Sequence, residues 1–461
     1  MNPCGEIAVL GAGPAGAAVA CGLAKLGYRV QLFGGSRNVA IEGLSERTLA
    51  QLRAAGLDSA AACVRGPGSR KGSWAGQVFT GSQEYIVERA AFDAALRTDA
   101  ASRGVVLQAE CVIGLDSCGR SWRVHSGTGI RQFRAVVDAR GRRSRGVLLQ
   151  GPRLLSISQR LRARRRGRGD AVRTGIYSIE NEWCWIAEDG RGTIWLQIVG
   201  DSRPACASRK FTSRIAGAIA SIPAIAARFA DCDPAGPPYV RPAVARMAAP
   251  TGARGMVRAG DASVAADPLS GHGIYEALTS ATVAIAAVHT YLEKDEWEIV
   301  QRFCNERAQE VWRTAVSAAA RFYRAPAECT TSPFWGRTAA EYATLCASMR
   351  QSYVGPPGIV RRPVLNGVVI ELQPVVLTAE QPRGVWKVDS VELVRLVEVL
   401  RADPRAGVPS VAERLARPRE AVERAVQWLA ARGLIESRAD GAQESRRFGA
   451  RWPAPVSQIW P

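Results

Sequence analysis

Along the first third of the chain, short apolar runs alternate with amphipathic segments. Ile7 to Leu10 is wholly apolar and reads as a buried parallel strand. Ala17 to Leu26 follows as a helix, and Tyr28 to Phe33 as a second strand. Glu46 to Ala55 carries a helical period that ends near Gly56, and Phe92 to Ser102 carries another that stops at Gly104. Val105 to Gln108 and Ala135 to Asp138 add further strand signals. This alternation predicts an α/β domain over residues 1–150.

The period then changes. Gly175 to Ile179, Trp183 to Ala187 and Thr193 to Val199 read as strands, with turns at Glu180-Asn181 and Asp189-Gly190. An antiparallel sheet over 151–245 is expected, roofing a pocket above the α/β domain. Residues 246–330 return to α/β, with a strand at Met256 to Arg258 and a long helix after Gly273. Residues 331–384 are Pro-rich and read as an irregular connector. Ser390 to Leu400, Ser410 to Leu415 and Arg419 to Ala431 predict three helices, and Gly433 to Glu436 begins a hairpin-like end. A winged-helix-like module is expected over 385–440, with a tail over 441–461.

Glycines punctuate the first strand–helix junction as Gly11-Ala12-Gly13-Pro14-Ala15-Gly16. Gly11 permits a tight turn, Gly13 a close backbone approach to a pyrophosphate, and Gly16 close packing of helix on strand; Ala15 lies between them. The helix N-terminus adds free N–H groups and partial positive charge. The carboxylate expected at the end of the second strand, for ribose hydroxyls, is missing: Phe33 is followed by Gly34, Gly35 and Ser36. Glu42 is the nearest acid, which leaves the ribose to backbone or Ser36. A single fingerprint also means that reducing equivalents come from an external or transient reductant.

Composition alters this picture in one respect. The 461 residues carry 61 Lys+Arg against 42 Asp+Glu, a net charge of +19 that favours acidic partners. Arg160 to Arg168 concentrates six arginines. The 11 cysteines are scattered without a C-x-x-C pair and read as reduced thiols. With only 3 histidines, metal chemistry is not expected. The apolar stretch Ala8 to Leu26 has fingerprint spacing and no preceding basic segment, so it is read as neither a leader nor a membrane span. A cytoplasmic protein without a membrane partner is expected.

Downstream lie Val87-Glu88-Arg89-Ala90-Ala91-Phe92-Asp93, Val137-Asp138-Ala139-Arg140-Gly141-Arg142, Gly260-Asp261 and Asp267-Pro268-Leu269-Ser270-Gly271-His272-Gly273. With the glycine fingerprint, these resemble the FAD-dependent aromatic hydroxylases and the flavin-dependent tryptophan halogenases, over residues 1 to about 320. The resemblance implies a Rossmann-like FAD-binding fold of the glutathione-reductase/p-hydroxybenzoate-hydroxylase type. It places Arg89 near the phosphates and Asp261 on the ribityl chain. It puts Pro268, Gly271 and Gly273 over the ring edge, with the helix from Ile274 aimed at the flavin. Arg140 stands where Thr is common.

Ser73-Trp74-Ala75-Gly76, the Asp267 loop and the C-terminal block give a narrower likeness to the flavoproteins of tryptophylquinone biogenesis, the peptidyl-tryptophan dihydroxylases. The implied activity is monooxygenation of tryptophan within a small crosslinked protein, using oxygen activated on the flavin. The implied partners are that protein, acidic to suit the arginine run, and its crosslinking enzyme. His272 and Asp267 are the candidate proton-transfer residues. Lys71, Trp74, Trp183 and Trp185 are candidates for the substrate pocket, with Trp183 and Trp185 on one strand face. Two other readings stay open. A tryptophan halogenase would use Lys71 and a W-x-W-x-I-P motif, but Ile186 is followed by Ala187 and Glu188. A flavin-bearing DNA-binding regulator would use the winged helix, but Glu420, Glu423 and Gln427 on its recognition helix make nucleic acid an unfavoured partner.

Overall fold

The computed structural model describes residues 6–35, 40–164, 171–203, 209–223, 226, 229–349, 357–438 and 447–449. Contacts divide the chain into two compact units: Met1–Trp297 with Arg307–Met349, and Glu298–Glu306 with Arg350–Pro461.

The first unit is built on a five-stranded parallel sheet. Its order is Met256–Arg258, Ala135–Asp138, Glu6–Leu10, Arg29–Phe33, Val106–Gln108. Ile7, Ala8, Val9 and Leu10 are wholly buried, as a strand covered on both faces must be. The helices Pro14–Lys25 and Gly273–Lys294 pack together so closely that a side chain on Gly22 would overlap Ile285.

A nine-stranded sheet forms the second layer, mostly antiparallel, with Thr193–Asp201, Glu182–Glu188 and Arg173–Ile179 at its centre. The predicted strands are present, but the expected boundary at residue 151 is not. Ile41–Leu44, Arg65–Trp74 and Gln77–Glu88 come from the first 150 residues and extend this sheet, Arg65–Trp74 pairing parallel with Arg173–Ile179. One face is aromatic: its Trp183, Trp185 and Trp195 share one buried cluster with Trp312, Tyr323, Trp335 and Tyr342 of the helices packed on it. The other face buries Cys184, Ile186 and Leu196.

The expected irregular connector needs correction. Within 331–384, Pro333–Ser348 is a helix; the long helix Trp297–Ala327 lies just upstream of the expected connector. Pro333 occupies the first turn, where its missing N–H costs nothing, and Ser332 caps the end by accepting from Phe334 N. Further on, Gly358–Asn366 and Val369–Leu377 form a paired hairpin.

The second unit contains the predicted three-helix module, as Leu393–Ala402, Val408–Leu415 and Arg419–Ala430, followed by strand Glu436–Arg438 paired with Arg447–Gly449. Leu396, Val411, Val422, Leu429 and Leu434 form its core. Arg419 pairs with Glu423, Arg424 with Asp389 and Arg414 with Asp403. Among the described residues, no helix is long and apolar enough to cross a membrane, and no His/Cys/Asp/Glu group could hold a metal ion.

Candidate active site

The glycine turn closes on the neighbouring strand. Gly11 has φ +111°, and a Cβ there would overlap the carbonyl of Ala139; one on Gly16 would overlap Gly11 O. Both positions therefore require glycine for the fold itself. Gly13 differs: a Cβ built on it meets only Arg89 Nη2, at 3.9 Å. Protein packing does not demand glycine there, and the position leaves room for a close backbone approach by a ligand. Gly13 is also the N-cap of Pro14–Lys25, and the end has no side-chain cap. Its first N–H groups stay available, together with the positive end of the helix dipole.

The second motif reaches the same place. Gly260, at φ +61°, lies between Ala15 and Ala277, with a built Cβ 2.9 Å from Ala15 Cβ and 3.7 Å from Ala277 Cβ. It thus sits between the opening turns of the helices Pro14–Lys25 and Gly273–Lys294. The second helix also lacks a side-chain cap, and Gly271 and Gly273 have no neighbour within 4 Å of a built Cβ. Two uncapped helix N-termini, each fronted by glycines with empty space, flank one turn. That arrangement suits a dinucleotide whose pyrophosphate meets one N-terminus and whose ring meets the other.

Charged groups line the turn. Arg89 is buried and bonds Asp93 at 2.8 Å and Glu42 at 3.0 Å. Burial works against its charge, and Glu42 and Asp93 outweigh that effect. Glu42, from the strand Ile41–Leu44, therefore stands with Arg89 at the fingerprint; Ser36 lies outside the described residues. Asp261 is partly exposed and pairs with Arg142 at 3.4 Å, and Arg142 also donates to Ala266 O. Asp138 is wholly buried and accepts from Arg140 Nε at 2.9 Å and Ser144 Oγ at 2.7 Å. Burial pushes its carboxyl up, and Arg140 and Ser144 pull it below the ordinary value.

The two candidate proton-transfer residues part company. His272 is exposed, edge-on to Tyr275 at 6.4 Å. Asp267 is enclosed: it accepts from Leu269 N at 2.9 Å, Tyr323 Oη at 3.2 Å and Tyr342 Oη at 2.6 Å. Burial pushes its carboxyl up, while Tyr342 and Leu269 oppose that; burial and Asp267 push both tyrosines well up, so their hydroxyls stay protonated and donate. Asp267 is thus an enclosed turn-capping carboxylate whose hydrogen-bonding positions are occupied. Tyr323 and Tyr342 were missed by sequence reasoning; they lie far along the chain, and no local pattern marks them.

Of the pocket candidates, Trp183 and Trp185 lie on the aromatic face, and Cys184 on the other. Trp183 Nε1 donates to Tyr323 Oη at 3.0 Å. Trp74 packs edge-on to Trp335 at 5.6 Å and donates to Phe322 O. Lys71 does not join them. Its register partners are Gly175 and then Ile186, whereas Gly72 aligns with Ile176 and then Trp185. Lys71 is exposed on the face opposite the tryptophans. Of the arginine run, Arg164 pairs with Asp233 at 2.8 Å, and 165–168 fall outside the described residues.

The chain has the fold of solved flavin-dependent enzymes, and its two glycine-fronted helix N-termini suit a flavin dinucleotide. Among solved structures, the chain is similar to the peptidyl tryptophan dihydroxylase QhpG, essential for tryptophylquinone cofactor biogenesis. Identity is 28%, covering 94% of this chain and 100% of that one, with a TM-score of 0.76. It is also similar to CmlS, a flavin-dependent halogenase (17% identity, 97% and 98% covered, TM-score 0.73). CtdE in complex with FAD has the same fold over 75% of this chain and 99% of its own (14% identity, TM-score 0.53). No protein-family model matches the chain, and no curated protein matches it in sequence.

Proposed function

We propose that this chain is a FAD-dependent monooxygenase that hydroxylates a tryptophan side chain within a protein, in the making of a tryptophylquinone cofactor. The observation that carries this reading is the 28% identity to the peptidyl tryptophan dihydroxylase across 94% of the chain, C-terminal unit included. Bound and reduced, FAD supplies activated dioxygen for attack on an electron-rich ring. The chain's own residues supply the rest. The N-termini at Gly13 and Gly273 bind negative charge, and Arg89 and Asp261 orient the dinucleotide. Trp183 and Trp185 are core, so Trp74, half-buried edge-on to Trp335, is the tryptophan left to meet an indole. His272, exposed beside the ring loop, is the residue to take up or return a proton to solvent. The net charge of +19 suits a small acidic protein substrate. Its crosslinking enzyme and an external reductant complete the proposed partners.

The halogenase reading is less well supported: Lys71 stands on the opposite face from the tryptophans, and Ala187 and Glu188 continue the strand where the motif has its isoleucine and proline. The test is aerobic incubation of reduced holoprotein with free tryptophan and, separately, with a crosslinked peptide substrate. The reading expects the crosslinked peptide to gain the mass of oxygen and free tryptophan to stay unchanged. Oxygenation of free tryptophan alone, or chlorination of either, overturns it.

A further inference from the structure

The loop that closes the cofactor site is anchored at one residue. Asp267 caps the short turn Pro268–Ser270 by accepting from Leu269 N, and both tyrosine hydroxyls converge on it. Tyr323 comes from the helix Trp297–Ala327, and Tyr342 from Pro333–Ser348; their rings stack at 5.5 Å. Tyr323 Oη in turn accepts from Trp183 Nε1. One intervening hydroxyl thus separates the cofactor loop from the aromatic face. The outer half of the loop is differently built. Gly271 and Gly273 offer no side chain for packing, and His272 is exposed. The loop's position depends on its inner end: Asp267, buried Leu269 and the Arg142 bond to Ala266 O.

We propose that Asp267 is a positioning residue of the flavin site: Tyr323 and Tyr342 hold it in place, it fixes the Pro268–Gly273 loop, and through Tyr323 it keeps that loop in register with Trp183. Buried networks of this kind lose more than one bond's worth when a member is deleted, because the remaining polar groups stay in a low-dielectric interior with fewer partners. The helix Gly273–Lys294 starts where the loop ends, so a displaced loop also displaces the N–H groups that face the ring. The inference rests on the flavin reading of the site and not on the identity of the substrate.

The test uses the full chain as Tyr323→Phe, Tyr342→Phe, the double variant and Asp267→Asn. Three quantities are read: FAD affinity by quenching of flavin fluorescence, the visible absorption bands of bound flavin, and the Tm of the apoprotein. Each tyrosine variant is expected to bind FAD about tenfold more weakly and to shift the visible bands. The double variant should be no worse than the sum of the singles and closer to the poorer one. If Asp267→Asn does not fold, the tyrosine variants decide the matter. Variants with lowered Tm but wild-type FAD affinity and unchanged bands would reduce Asp267 to a packing role and overturn the inference. Wild-type chain that takes up no FAD would overturn the flavin reading itself, and the inference with it.

Discussion

Gly260 stands directly against Ala15, with a built Cβ only 2.9 Å from the alanine Cβ. Two motifs far apart in sequence thus meet with no room for a side chain between them. The glycine also holds φ +61°, a backbone state that other residues enter at a cost of about 1–3 kcal/mol. Gly260→Ala should lower Tm and weaken FAD binding together, because the second motif must move away from the first. Thermal melts with and without FAD check this.

Gly13 and Gly16 separate folding from binding. A Cβ on Gly16 overlaps Gly11 O, so Gly16→Ala should destabilise the apoprotein. A Cβ on Gly13 meets nothing nearer than 3.9 Å. Gly13→Ala should therefore leave the apoprotein Tm near wild type and weaken FAD binding by about tenfold or more, roughly the loss of one charge-assisted contact. Calorimetry and FAD titration on the same samples check the contrast.

Arg89 neutralises a buried aspartate. Asp93 is 3% exposed, and Arg89 contacts both its oxygens. Arg89→Leu removes this buried pairing and should cost about 3–5 kcal/mol, whereas Arg89→Leu with Asp93→Leu should recover much of the stability and none of the FAD binding. Urea unfolding of the single and double variants distinguishes the two effects.

Asp138 sets an acid limit. Its carboxyl is held below the ordinary value, first against burial and then by Arg140 and Ser144. Its contribution is therefore present above the unfolded carboxyl value of about 3.9 and is lost as pH falls through the lower folded value. Arg140→Gln removes the stronger of the pulls, so its acid-unfolding midpoint should move to higher pH than wild type. Circular dichroism across an acid titration measures the shift.

Lys71 provides the control for halogenation. It is exposed on the face opposite Trp183 and Trp185. Lys71→Ala should leave oxygenated product unchanged, and chloride should yield no chlorinated product, by mass spectrometry.

Much of this site is legible in the sequence because its requirements are local. Gly11 and Gly16 are dictated by a turn and a close approach, and Ala135–Asp138 and Met256–Arg258 are read to the residue from their apolar runs. Arg65–Trp74 escapes notice because Gly, Pro and Arg interrupt any alternation, and the sheet alone makes it a strand. Pro333 reads as a breaker, yet in the first turn it starts the helix that carries Tyr342. The bonds from Tyr323 and Tyr342 to Asp267 are products of tertiary packing, and no spacing announces them. Lys71 is misjudged for a related reason: which face of a strand looks toward the cofactor depends on register, and register is set between strands.

The most direct measurement is the fate of isotopically labelled dioxygen. Holoprotein is reduced, mixed with the crosslinked peptide and exposed to the labelled gas, and the product is sequenced by mass spectrometry. The account predicts label on the indole of the peptide's tryptophan. A product bearing oxygen from water instead, or peptide returned unaltered while the oxygen is consumed, would contradict it.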